Sequence, residues 1–377
     1  MACDSFTTWL EVDLDAVRGN VAAAQRLIGA RCGILAVVKA DAYGHGARPV
    51  AQAALAAGAA GLCVANLAEA DQLRRAGIAA PILLLTAGPP RQAGQVVRRG
   101  LIQAVYERPT AEALSRAAVR LGREAEVHIK LDTGMGRLGI PPEQAGCFAG
   151  ELATLPALRV TGAFSHLATA EEADPSYARQ QFERFLASLE AMRAVFPYLR
   201  AHLANSAATL RFPEMRLDFV RLGLLVYGVY PTNREEPGVS LQPVLAWKTS
   251  VAFARRALAG TSVSYGRTWR AAASTTLVTL PVGYADGYPR TLSNRGQVLF
   301  RGRLRRVVGT VCMNHLVADV GEEPKVRPGE EVVLLGEQGA ARITAGQLAE
   351  WAGTVPHEIL ACIAGRLPRS YRGVSPG

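Results

Sequence analysis

Up to about residue 238 the chain alternates short apolar runs with stretches whose apolar positions recur at helical spacing. The runs fall at 33–39, 61–65, 81–86, 101–106, 126–132, 160–166, 201–205 and 219–227. Continuous rather than alternating apolar runs suit strands buried on both faces, and eight of them separated by helices is the count that closes a (β/α)8 barrel of the TIM type. Ahead of them, residues 8–13 alternate as a short strand. Asp13 or Asp15 then caps a helix through about Leu27, with Val17, Val21, Ala24 and Ile28 on one face.

A polar segment punctuated by proline and glycine, residues 231–238, marks the boundary at which the pattern changes. Beyond it, β-rich runs at 245–254, 275–281, 296–300, 305–311, 316–320 and 331–335 are separated by turn residues, with little helix before Thr344. Thr344 caps a helix ending near Gly353, and Pro356 with Gly365 frames another. The expected fold class is therefore α/β: a barrel domain over 1–238 followed by a mostly antiparallel β domain over 239–377.

The ends of the apolar runs carry the candidate chemistry. They read Lys39, Asn66, Thr86, Tyr106, Asp132, His166, Asn205 with Ser206, and Arg221 to Gly223. Polar residues at the C-terminal ends of barrel strands belong to the catalytic face, although strands also end wherever polarity begins. Arg221 escapes that plain account, because it lies within the apolar run and a buried charge needs a partner. Lys39, at the tip of an apolar strand, either reaches out to solvent or is used. The residues alone leave both open.

Composition narrows the classes. The formal charge of +10 over 377 residues invites a nucleic-acid reading, but the arginines are spread along the chain. Their densest cluster is Arg303-Leu304-Arg305-Arg306, and no nucleic-acid module accompanies it, so a solvated surface is expected. No apolar run is long enough to span a bilayer, and the N-terminus lacks the pattern of a secretory signal, so a cytoplasmic protein without membrane contact is expected. The six cysteines include no CxxC pair and sit mostly in apolar runs. They read as buried free thiols rather than disulfides or a metal site.

The stretch Ala36-Val37-Val38-Lys39-Ala40-Asp41-Ala42-Tyr43-Gly44-His45-Gly46 resembles the signature of the alanine racemase family, fold-type III racemases that depend on pyridoxal 5'-phosphate. The resemblance implies that Lys39 anchors the cofactor covalently and serves as one of two catalytic bases. Val263-Ser264-Tyr265-Gly266-Arg267-Thr268 resembles the family's catalytic-tyrosine motif, which implies Tyr265 as the second base. A phenol ordinarily loses its proton near pH 10, so such a base needs cationic or hydrogen-bonding neighbours. The family draws them from positions matching His166 and Arg221. It also places this tyrosine in the active site of the partner subunit, which implies a head-to-tail homodimer with composite sites.

Further roles follow from the resemblance. Arg221 matches the arginine facing the pyridine nitrogen, and Tyr43, Ser206, Gly223 and Leu224 match the phosphate contacts. Ser206 also reads as the cap of the helix that follows it. Leu131-Asp132-Thr133-Gly134-Met135-Gly136-Arg137-Leu138-Gly139 resembles a block whose arginine, here Arg137, meets the cofactor's phenolic oxygen and the substrate carboxylate. Lys130 matches a lysine that some members carbamylate to position that arginine. Gly283-Tyr284-Ala285-Asp286-Gly287 and Cys312-Met313-Asn314 are two more family blocks. In them Tyr284 and Arg290 stand where substrate enters, and the Met313 backbone amide meets the substrate carboxylate.

The function implied is interconversion of L- and D-alanine, supplying D-alanine for peptidoglycan. Two departures make a serine-directed or broader amino-acid racemase of the same fold the alternative. Asn314 stands where members commonly have aspartate, and His357 where alanine-specific members commonly show tyrosine. A fold-type III decarboxylase is disfavoured by Arg221, since it is expected to pair the ring nitrogen with a carboxylate. A non-catalytic pyridoxal carrier is disfavoured by the whole β-rich half.

Overall fold

The computed structural model describes residues 7–232 and 238–374. Cys3, and residues 233–237 at the expected domain boundary, lie outside the described residues.

The eight apolar runs of the first half are parallel strands closed into one barrel: β2 (Gly33–Val37), β3 (Gly61–Val64), β4 (Ile82–Leu84), β5 (Ile102–Val105), β6 (Ala125–Lys130), β7 (Leu158–Phe164), β8 (Arg200–His202) and β9 (Phe219–Leu222). The ring closes by pairing β2 with β9, Gly33 opposite Phe219 and Leu35 opposite Arg221. Strands sheathed by helices have no solvent face. That is why runs such as Gly-Leu-Cys-Val of β3 are buried at every position.

The helix that follows the first strand spans Leu14–Ile28, and Asp13 caps it by accepting from the amides of Asp15 and Ala16. That first strand, β1 (Thr8–Asp13), is not part of the barrel. It pairs antiparallel with β10 (Leu245–Ser250) and parallel with the strand Arg369–Arg372 at the far end of the chain. Its burial alternates, with Thr8, Leu10 and Val12 inward, and this pattern fits an open sheet with one covered face rather than a barrel wall. The N-terminal strand, expected within a barrel domain over 1–238, thus joins the sheet of the second half.

That sheet has ten strands among the described residues. After β10 come β11 (Phe253–Ala257), the short hairpin β12 (Ser262–Val263) and β13 (Trp269–Arg270), which is a separate sheet, then β14 (Thr275–Leu280), β15 (Gln297–Phe300), β16 (Arg303–Val307), β17 (Leu316–Gly321), β18 (Glu331–Gln338), β19 (Ala341–Ile343) and β20 (Arg369–Arg372). All its pairings are antiparallel except β1 with β20. The expected run at 245–254 is two strands, because the chain turns after Ser250. Thr344 caps the helix Ala345–Ala352 through a capping box with Gln347, and Gly353 ends it in the left-handed region.

The cysteines differ from expectation. Cys32 and Cys63 are buried free thiols, but Cys147 and Cys362 are exposed and Cys312 is half-buried. Cys147 and Cys362 lie on helices, where an apolar neighbourhood in sequence still leaves every third or fourth position facing water. No described helix is long and apolar enough to cross a membrane.

Candidate active site

At the C-terminal end of β2 the backbone does something the residue types do not announce. After Lys39, four consecutive non-glycine residues, Ala40, Asp41, Ala42 and Tyr43, have φ between 51° and 54°. The left-handed region costs an L-residue on the order of 1–2 kcal/mol, so such a run persists only where its surroundings hold it. Here they do. Glu69 accepts from the amides of Ala40 and Ala65, and Asp41 accepts from the amide of Ala47. His45 Nδ1 donates to the carbonyls of Ala42 and Tyr43, and Tyr227 Oη donates to that of Val37. From β20, Arg369 donates to the Gly44 carbonyl and Tyr371 to that of His45. The turn sets Lys39 and Tyr43 on the wall of one cavity.

That cavity, of about 610 Å3, opens among the C-terminal strand ends. It gathers nine of the residues singled out from sequence: Lys39, Tyr43, Arg137, His166, Ser206, Arg221, Gly223, Leu224 and His357. Lys130 lines it too, its Nζ 5.1 Å from the centre of the Phe164 ring. Among the described residues Lys39 Nζ has neither an ion pair nor a hydrogen bond. Burial, followed by the charge of Arg137, lowers its pKa. Burial and the charges of Arg221 and Arg137 bring Lys130 down to about 8. The site thus crowds cations, which lowers the pKa of both amines and favours an anionic occupant.

Arg221 is fully buried without a carboxylate in reach among the described residues. Neutral acceptors hold it instead. Nη1 donates to Nδ1 and the carbonyl oxygen of His202, and Nη2 to the carbonyls of Ser165 and Leu203, with Nδ1 of His166 at 3.3 Å. Four N–H bonds are spent on the protein in this way, and the guanidinium plane is fixed. Burial, then the charges of Arg221 and Lys130, hold His166 at about 3, so its ring is neutral.

Ser206 does not cap the helix Ser206–Arg211; Asn205 does, accepting from the Ala208 amide. Ser206 Oγ accepts instead from the amides of Gly223 and Leu225, tying the loop after β8 to the loop after β9. Gly223 has a steric reason to be glycine, since a Cβ there would lie 2.7 Å from Tyr43 Oη. The loop after β6 is shaped by Asp132, whose carboxylate accepts from the amides of Gly134, Gly136 and Arg137. Those amides outweigh the upward pull of burial and lower its pKa.

Tyr265, Tyr284 and Met313 are not in this cavity. They lie on the second half, 74%, 43% and 55% exposed, and they converge there. Tyr284 and Ala285 donate their amides to the carbonyls of Cys312 and Met313, and the hydroxyl of Thr310 donates to the Tyr265 carbonyl. Ser264 and Arg267, on either side of Tyr265, both have positive φ, so the turn lifts the phenol outward. Asn314 and Arg290 are exposed as well.

Sequence reading passed over Glu69, His128 and His202. The signal for the two histidines was present, an imidazole inside an otherwise apolar strand. Glu69 gave none, because its partners are backbone amides brought close only by the fold.

Residues 12–231 match the family described as alanine racemase, N-terminal domain, and residues 244–371 the family described as alanine racemase, C-terminal domain. The chain belongs to the alanine racemase family. Among its relatives, a protein named alanine racemase from Symbiobacterium thermophilum is 49% identical over 368 residues, covering 97% of each chain. The structure of alanine racemase from D-cycloserine-producing Streptomyces lavendulae superimposes with a TM-score of 0.91 at 38% identity, covering 98% of this chain and 97% of that one. The structure from Bartonella henselae, with covalently bound pyridoxal phosphate, gives 0.88 at 28% identity over 97% of this chain and 100% of its own.

The cavity fits such a cofactor. An aldehyde would find an amine of lowered pKa, a ring nitrogen would find a fixed guanidinium, and a phosphate would find the Tyr43 hydroxyl beside the gap left by the missing Cβ of Gly223.

Proposed function

We propose that this chain interconverts L- and D-alanine with pyridoxal phosphate held in the barrel-mouth cavity and a tyrosine lent by a second copy of itself. The observation that carries the reading is the division of the machinery. Lys39, His166 and Arg221 share one cavity, whereas Tyr265 stands exposed on the other half beside Tyr284 and Met313. A head-to-tail dimer unites the two halves of the site. The division into a barrel domain and a β-rich domain near residue 238 belongs to this proposal, with β1 counted in the second sheet.

Racemisation takes a proton from one face of the α-carbon and returns one to the other, so two bases on opposite faces serve it without either having to move across. Lys39 Nζ takes the proton of the D enantiomer; its lowered pKa makes the free amine more available. Tyr265 Oη of the partner subunit takes that of the L enantiomer, steadied by the neutral His166 and the fixed Arg221. When bound, the cofactor supplies the electron sink that a free amino acid lacks. Arg221 never yields its proton, so it can only donate toward the ring nitrogen and does not protonate it. Arg137 and the backbone amide of Met313 of the partner subunit hold the substrate carboxylate. The proposed setting is the cytoplasm, with D-alanine destined for peptidoglycan.

The decisive experiment mixes two inactive variants. Lys39→Ala loses the visible absorption of lysine-bound cofactor and all turnover; Tyr265→Phe keeps the absorption and loses L-to-D conversion. Refolded together, they regain about a quarter of native activity, since about half the dimers are hybrid and each hybrid holds one intact site. Two silent variants that stay silent on mixing, both folded and dimeric, would sink the composite site. A serine-directed racemase is kept as a second reading because His357 lies in the cavity, its ring 5.7 Å from that of Tyr43. L-serine turnover exceeding L-alanine turnover decides for it.

A further inference from the structure

Two histidines stand in the barrel core, where branched apolar side chains are the rule. His202, on β8, is fully buried and stacked on Phe164, 4.8 Å between ring centres and 7° between planes. Its Nδ1 lies 2.9 Å from Arg221 Nη1, and its Nε2 lies 2.9 Å from Nδ1 of His128 on β6. The His128 ring covers Gly162, where a Cβ would come within 2.7 Å of three ring atoms. His128 also lines a second cavity, of about 660 Å3, among residues at the N-terminal ends of the strands: Leu62, Ile102, Glu126, Arg200 and Phe219. A chain of polar contacts therefore runs from the catalytic face into the far end of the barrel.

The direction of that chain is dictated by its first member. A guanidinium has donors only. His202 Nδ1 must then accept, which leaves the one proton of this neutral ring on Nε2. That N–H donates to His128 Nδ1, which puts the His128 proton on its own Nε2. The opposite tautomer of either ring sets N–H against N–H. Both rings stay neutral: burial, then the charges of Arg200 and Arg221, hold His128 at about 3, and burial with Arg221 holds His202 well below the usual range. Packing alone would be served by leucine or phenylalanine. An acceptor at the position of His128 Nδ1 is needed only if the tautomer of His202 matters, because without it a buried N–H is orphaned and the ring is free to turn its proton toward Arg221.

We propose that His128 is a positioning residue for the reaction at the opposite end of the barrel, acting through His202 to lock the hydrogen bonds that hold Arg221 in the cofactor cavity. The importance of Arg221 rests on the function proposed above; the tautomer order rests on the geometry alone.

The test uses the full-length chain labelled with 15N-histidine, with and without pyridoxal phosphate, beside H128L and H128N. Asparagine keeps an acceptor oxygen where His128 Nδ1 stands. The native spectra are expected to show His202 as the single Nε2–H tautomer in both states. Folded H128L loses that single signature and loses at least about tenfold in kcat for alanine with KM within about threefold, and H128N recovers both. A native His202 carrying its proton on Nδ1 overturns the proposal without any variant, even if H128L fails to fold. A folded H128L with native spectrum and kcat overturns it too. The tautomer in cofactor-free protein is read whatever the enzyme turns over, so failure here and failure of the racemase reading are distinguishable.

Discussion

At the scale of single residues the site works by what each side chain cannot do. Arg221 cannot release its proton, Lys39 holds its own less firmly for being buried beside Arg137, and Gly223 cannot crowd Tyr43. The last of these gives a clear expectation. Gly223→Ala places a methyl 2.7 Å from Tyr43 Oη, at a backbone conformation any residue adopts, so the fold survives and the phenol must move. The expected outcome is weaker cofactor binding by about tenfold, near 1.4 kcal/mol, measured by titrating cofactor-free protein with pyridoxal phosphate. Thermal unfolding of the cofactor-free form should be nearly unchanged. Most of these residues were visible in the sequence as polar ends of apolar runs. Arg221 was visible as an anomaly, but its solution, carbonyls and imidazoles in place of a carboxylate, was not, because the acceptors stand at the ends of the neighbouring strands β7 and β8 and meet it only once the barrel forms.

At the scale of elements, strands and helices were legible from period and caps, as with Asp13 and Thr344. The turn after Lys39 was not. Three of its four left-handed residues are Ala and Tyr, types with no preference for positive φ, so nothing local announces the conformation. It is imposed by Glu69, Tyr227 and the β20 residues, all distant in sequence. Asp41 is the exception, a type that tolerates the region and also accepts from the Ala47 amide at the start of the next helix. Asp41→Val removes that cap and puts a β-branched residue at positive φ. The combined cost is on the order of 2–3 kcal/mol, read by denaturant unfolding, with Lys39 displaced and cofactor binding weakened in step.

At the scale of the whole molecule, burial of imidazoles links stability to pH. His45, His128 and His166 are held at about 4, 3 and 3, and His202 well below the ordinary imidazole value, in each case first by burial. Their unfolded value is near 6.5. Between pH 6.5 and about 3 the unfolded chain therefore binds protons that the folded chain refuses, so stability is full above that window and falls as pH drops through it. Each histidine adds a slope of up to about 1.4 kcal/mol per pH unit. Denaturant unfolding of the cofactor-free protein from pH 8 to pH 4 should show the loss, and replacing His45 by Gln should make it shallower.

The sequence by itself determined the alternation of buried runs and helices, hence an eight-stranded barrel with a β-rich half after it, and which polar residues stand at the strand ends. These are consequences of local period, caps and turn types, all written within a few residues. Only the tertiary structure decided that the first strand crosses to the second sheet, that four residues turn left-handed beside Lys39, and that Tyr265, Tyr284 and Met313 share an exposed patch away from the cavity. Each of those depends on groups from tens to hundreds of residues apart being brought within a hydrogen bond of one another, and no local pattern encodes such a meeting.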